Sequence, residues 1–384
     1  MAEPRRGYVR GMPRWNHALA GIGVAAAVTA AVADPHPAGA AATQTWPAFV
    51  LVAGLLLVGL VAAEDRLFAA AGDRLAAAAP SGLALFAGVT VLVSVVTAVL
   101  NLDTSVAFLA PVLVHAARRR KEDAGLLLSL CLLMSNAASL LLPGSNLTNL
   151  IVLAGRHVSG NTFLSRMVLP WLGAVVATAA VVAVAGRREL RRRAPTQRGA
   201  TRPRIGTGLP AVVAVVAAVL ALGDPAPAVA AVAAVAVTIE MLRRRIAPAT
   251  VVETLDLPVL LGLFGIAVAL GAVGRSWSVP TQALQHLDTW ATAGFGALAT
   301  VVFNNLPAAA LLSARPPAHP FALLIGLDIG PNLFVTGSLA WVLWLKSSRA
   351  AGGEPQLWAT VRLGLVAAPL ALVAAVGALT VVHQ

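Results

Sequence analysis

The chain of 384 residues is 58% hydrophobic and only 11% charged, with a single tyrosine, which is more apolar surface than one soluble core of this size can bury. A soluble globular domain is therefore excluded, and the apolar runs lack the two-residue alternation of a barrel strand, so the spanning elements must be helices. The net charge of +12 is concentrated in short loops between apolar segments, a topology signal and not a nucleic-acid surface.

Arg5, Arg6, Arg10 and Arg14 precede an apolar run over 18–33, read as a retained first span although Ala31-Val32-Ala33 resembles a cleavage site. A second span is predicted over 46–63, followed by an amphipathic segment over 64–79. Residues 83–117 are too long for one span and are interrupted by Asn101-Leu102-Asp103-Thr104-Ser105. That pattern predicts a re-entrant hairpin, two half-helices meeting at a polar tip. After Arg118-Arg119-Arg120-Lys121, the apolar stretch 126–153 is broken by Pro143-Gly144-Ser145-Asn146-Leu147-Thr148-Asn149, residues that a continuous helix avoids. It is read as a broken membrane helix. Non-helical backbone at membrane depth is tolerated where it is buried in protein or faces a water-filled cavity, so such a break marks a binding site. A span over 168–185 and a basic loop over 187–204 complete a first repeat, 1–204.

The second repeat, 205–384, has spans over 208–222, 226–242 and 257–273. A second hairpin over 290–313 is interrupted at Asn304-Asn305-Leu306-Pro307. A second broken helix over 321–345 is interrupted at Asp328-Ile329-Gly330-Pro331-Asn332 and Thr336-Gly337-Ser338, and a final span covers 357–382. The predicted fold is an all-α polytopic membrane protein of two inverted repeats, each with a re-entrant hairpin and a broken transmembrane helix. If neither hairpin crosses, the N-terminus is cytoplasmic, the C-terminus is outside, and only Arg156, Arg166, Arg275 and Arg315 of the 28 Lys and Arg fall on the outer side of the plasma membrane.

Asp103 and Asp328 are the two acids placed well inside membrane segments. An ionised carboxylate at the bilayer centre costs roughly 2.5–3.5 kcal/mol on insertion scales, so both are predicted proton-coupling groups; the alternative role is to accept hydrogen bonds from unwound backbone. Asn101, Thr104, Gly144, Ser145, Asn146, Asn149, Asn304, Asn305, Asn332, Thr336, Gly337 and Ser338 lie at or beside the breaks. With the free N–H and C=O groups of half-helix ends they can line a site for a small polar solute or a partly dehydrated cation, or cap the half-helices. No Lys or Arg falls within a break, which argues against an anion held by formal charge. Cys131 is the only cysteine and is read as a packing residue; no site of several thiolates can form. The histidines, His115 near a hairpin base included, show no metal-ligand spacing. There is no ATP-binding glycine loop, no cofactor motif and no catalytic constellation, so the chain reads as a gradient-driven carrier and not an enzyme.

Leu100-Asn101-Leu102-Asp103-Thr104-Ser105-Val106, Ser135-Asn136-Ala137-Ala138-Ser139 running into Pro143-Gly144-Ser145-Asn146-Leu147-Thr148-Asn149-Leu150, Asn304-Asn305-Leu306-Pro307, and Gly330-Pro331-Asn332-Leu333 with Thr336-Gly337-Ser338 resemble the arsenical pump membrane proteins. These are arsenite and antimonite efflux carriers of the ion transporter superfamily, which also holds sodium-coupled dicarboxylate carriers and some sodium/proton antiporters. The resemblance implies a scaffold of outer helices, often a homodimer interface, and a transport domain made of the hairpins and broken helices. It implies export of arsenite or antimonite in exchange for protons, with arsenite carried as the neutral trihydroxide because one cysteine cannot supply several thiolates. The alternative is a sodium- or proton-coupled carboxylate carrier or a sodium/proton antiporter, for which one expects a cationic residue or a second serine-asparagine-threonine tip, and neither hairpin has one. Implied partners are the small inorganic substrate, protons and membrane lipid. A cytoplasmic ATPase can be imagined on 187–204, but a topology signal and lipid headgroup contact account for that loop.

Overall fold

The computed structural model describes residues 13–154, 156, 158–191, 202–204 and 206–382, and among them every regular element is helical. α1 (Pro13–Ala33) meets α2 (Pro35–Glu64) across Asp34, whose carboxylate caps α2 by accepting from the His36 N–H. The span expected over 46–63 thus reaches back to Pro35, because a proline at the helix start presets φ and the alanine-rich stretch after it propagates the helix. α3 (Leu67–Ala78) is the amphipathic segment. α4 (Gly82–Val99) and α5 (Leu102–Arg120) are the arms of the first hairpin. α6 (Gly125–Ala138) and α7 (Leu147–Leu153) are the halves of the first broken helix, with a single 3-10 turn, Pro143–Ser145, in the unwound stretch between them. α8 (Gly160–Ala185) starts earlier than expected, capped by Ser159, and α9 (Arg187–Leu190) opens the basic loop, most of which lies outside the described residues.

The second half repeats the order. α10 (Gly208–Ala221), α11 (Ala226–Leu242), α12 (Pro248–Leu255), α13 (Leu257–Ser276) and α14 (Val279–His286) lead to the second hairpin, α15 (Thr289–Phe303) and α16 (Asn305–Leu312). The second broken helix is α17 (Pro320–Ile329), a 3-10 turn Gly330–Leu333 and α18 (Ala340–Ala350), so it runs past the expected end at 345; α19 (Leu357–Val382) follows. α12 and α14 are two-turn helices with a proline in the first turn and are too short to register as spans in the sequence. Among the described residues, six helical stretches are long and apolar enough to cross a membrane. The chain is a multi-pass membrane protein.

Side-chain contacts fix how the halves face each other. At the start of the first broken helix, the Leu128 carbonyl accepts from the Trp344 indole near the end of the second, and Arg118 at the base of the first hairpin donates to Gly352 O just beyond α18. At the opposite end, Arg156 after α7 donates to Pro317 O ahead of α17. The two broken helices are therefore antiparallel, and the hairpins open to opposite faces. The first face carries the 118–121 run and α12; the second carries Arg156 and Arg275.

α1 lies along α13 by backbone approach. A Cβ on Gly23 would collide with the Gly262 carbonyl, and one on Gly265 with the Gly23 carbonyl, so only hydrogen at these positions allows the crossing. Such close packing replaces the hydrophobic drive that lipid removes. α2 packs on α1, α11 and α13, and also reaches α5 and α7. Cys131 is fully buried in α6.

Candidate functional site

A cavity of about 930 Å³ lies where the hairpin tips and breaks converge. It is lined by Asp103 in the first turn of α5, Asn146 and Leu147 at the start of α7, Asn304, Asn305 and Leu306 at the start of α16, and Ser338 and Leu339 ahead of α18. Four helices thus begin at its wall. Each leaves backbone N–H groups without an intrahelical partner, and the aligned peptide dipoles put partial positive charge at those ends. Leu19 of α1, Leu56 of α2 and Leu263 of α13 form the apolar wall opposite. From the tips the cavity runs along α18 to Lys346 and Ser347 and to Glu64, Glu253 and Asp256, which places its mouth on the first face.

On the second face the way is shut. Gln44 of α2 donates to the Ile151 carbonyl at 2.9 Å and to Ser313 Oγ at 3.1 Å, and Arg275 of α13 donates to Gln44 Oε1 at 2.5 Å. One amide thereby joins α2 to the ends of α7 and of the second hairpin.

The two acids expected to act alike do not sit alike. Asp328 is fully buried and accepts from Thr148 Oγ1, from Asn146 Nδ2 at 2.8 Å and from Ser139 Oγ at 3.2 Å. It cross-links the break of one broken helix to the other, and is absent from the cavity lining. Asp103 lines the cavity, and its buried Oδ1 has no hydrogen-bond partner among the described residues. Close by in the chain, Asn101 Nδ2 and Thr104 Oγ1 are also buried and unpartnered, although Asn101 Oδ1 caps α5 by accepting from the Thr104 N–H at 2.6 Å. Buried polar groups are normally paired, so a run of orphans marks a place where something else supplies the partner.

Of the remaining expected residues, Asn146, Asn304, Asn305 and Ser338 line the cavity. Asn304 holds a φ of 71° with a ψ of 152°, a strained backbone conformation that residues with side chains rarely adopt, and its amide donates to Thr336 O at 3.0 Å, while the Asn305 N–H donates to Gly337 O at 2.8 Å. The second hairpin tip is thus laced to its own break. Others hold the backbone together away from the cavity. Ser145 donates within its turn, to Ser139 O and Leu142 O. Asn149 Nδ2 donates to Ser139 O at 3.0 Å and leaves its Oδ1 unpartnered. Asn332 donates to Leu133 O at 2.9 Å and accepts from Asn136. Thr336 is exposed and donates to Val301 O at 2.7 Å. Gly144 faces Leu51 and Val219, and Gly337 packs on Pro331. Sequence reasoning missed Ser139 and Asn136, although polar residues three apart on an otherwise apolar helix were a usable signal, and it missed Gln44 and Lys346, which lie far from any break.

The sequence matches the citrate transporter (CitMHS) family over residues 10–343. The chain belongs to the citrate transporter family. The expected arsenical pump family is not the one matched; the coarser expectation, a carrier like those of the ion transporter superfamily, stands. No curated protein matches the sequence. Among solved structures, one described as the crystal structure of the Alcanivorax borkumensis YdaH transporter, with an unusual topology, aligns over 90% of this chain and 87% of that chain at 13% identity and a TM-score of 0.49. Membership in this family places the chain among membrane carriers of small solutes.

Proposed function

We propose that this member of the citrate transporter family is a plasma-membrane secondary carrier for small di- or tricarboxylates of the citrate class, coupled to a proton or another cation. The observation that supports an anion over neutral arsenite is the convergence of helix starts on one cavity: α5, α16 and α18 each bring N–H groups without an intrahelical partner, and partial positive charge, to its wall. Asp103 supplies the coupling. Two like charges about 4 Å apart repel by about 4 kcal/mol at an effective dielectric of 20, so a bare Asp103 opposes a carboxylate beside it. A proton or cation taken up at Asp103 removes that repulsion, and linkage makes each ligand favour the other. Cation and anion then move together. With the arginine-rich first face in the cytoplasm, the cavity is inward-open, and transport exchanges this arrangement for one in which the Gln44 contacts are broken.

The test is citrate accumulation in proteoliposomes under imposed proton or sodium gradients. Gradient-driven citrate uptake that becomes insensitive to the gradient in Asp103→Asn supports the reading. Vesicles that leave citrate outside while moving arsenite overturn it.

A further inference from the structure

Lys346 is a cationic side chain in the cavity wall that no break of the chain predicts. It sits on α18, whose residues 342, 343, 346 and 347 line the cavity together with the helix-capping Leu339. That spacing is one helix face, three and four residues apart. The other charged lining residues are acidic: Glu64, Asp103, Glu253 and Asp256. Two of these are engaged elsewhere, Glu64 with Arg204 at 3.4 Å and Asp256 with both contacts of the Asn16 amide, at 2.7 and 3.0 Å. Lys346 is half-buried and makes no hydrogen bond or ion pair with a described residue.

Its position suits a second contact to a substrate seated at the tips. Seven residues at 1.5 Å rise put its Cα about 10 Å along α18 from Leu339, where the helix begins. Helical side chains lean toward their own N-terminus, a direction that would bring the ammonium on its four-carbon stem back toward the tips, along a wall shared with Val342 and Leu343. A monocarboxylate held by the helix starts cannot reach it. A longer polycarboxylate can bridge backbone donors at one end and an ammonium at the other. We infer that Lys346 is a specificity-determining residue that binds a second carboxylate of the substrate and selects polycarboxylates over monocarboxylates. This inference rests on the carboxylate reading above.

The test uses the chain's own chemistry. Cys131 is buried, so Lys346→Cys presents one accessible thiol. In proteoliposomes the half-saturating citrate concentration should rise about tenfold or more in Lys346→Cys, the loss of one charge-assisted contact. Acetate competition should be unchanged. Restoring a positive charge with an aminoethyl methanethiosulfonate reagent should recover much of the citrate affinity, and a sulfonate-bearing reagent of similar size should lower it further. Because the same folded sample is compared before and after modification, misfolding cannot mimic this pattern. Wild-type protein that moves citrate while Lys346→Cys keeps wild-type affinity and selectivity before and after both reagents overturns the assignment alone. Wild-type protein that neither binds nor moves citrate overturns the carboxylate reading beneath it.

Discussion

The two hairpin tips occupy equivalent places in the two halves but are finished differently. The second tip is tied down: Asn304 and Asn305 bond to the backbone of the 336–337 segment, and Thr336 bonds back to Val301. The first leaves Asn101 Nδ2, Asp103 Oδ1 and Thr104 Oγ1 buried without partners. The acids diverge in the same way, with Asp328 engaged by three side-chain donors and Asp103 Oδ1 by none among the described residues. A pseudo-symmetric chain can therefore use one half of a repeated pattern as a fastening and leave the other available to a ligand. Polar satisfaction distinguishes the two uses, where residue type alone does not.

Removing the fastening should have the largest effect. Asp328→Ala removes the buried acceptor that Thr148, Asn146 and Ser139 share, at a cost of about 3 kcal/mol or more, and should sharply lower the melting temperature in detergent. A variant as stable as the wild type would erase the distinction between the acids. Asp103→Asn should leave melting unchanged, while the cation dependence of transport, a coupling of about 1–3 kcal/mol, disappears. The threonines sharpen the contrast. Thr148→Val removes a donor to Asp328 and should destabilise by about 1–2 kcal/mol, whereas Thr104→Val replaces an unpartnered hydroxyl by a methyl and should be neutral or mildly stabilising in the same denaturation assay. The smallest effect belongs to the contact on the second face. Gln44→Ala, at about 1 kcal/mol, should speed amide hydrogen exchange in α7 and α16 up to about tenfold without altering the first hairpin. Uniform acceleration across both hairpins would mean that Gln44 holds the whole fold and not the closed second face.

Much of the architecture was legible in the sequence because its causes are local. Helices α11 and α19 fall where apolar length and flanking charge put them, and Asn101, Pro143 and Asn304 interrupt apolar runs wherever those runs sit in space. What escaped was short or shared. α12 and α14 have two turns each and carry no span signal. Where the long α2 packs, against α1, α11 and α13, is likewise shared between segments far apart in the chain.

The site divided along the same line. That Asn, Thr, Ser and Asp at membrane depth need partners follows from desolvation, and the sequence alone determines it. Which of them find those partners is decided by contacts between residues far apart in the chain, such as Asp328 with Asn146 and Thr148, or Gln44 with Ile151 and Ser313. Lys346 carries no mark in the sequence beyond its position in the last turns of an apolar helix. Only folding α18 beside the starts of α5 and α16 gives its charge a cavity to act in, because electrostatic function depends on distance through space and not along the chain.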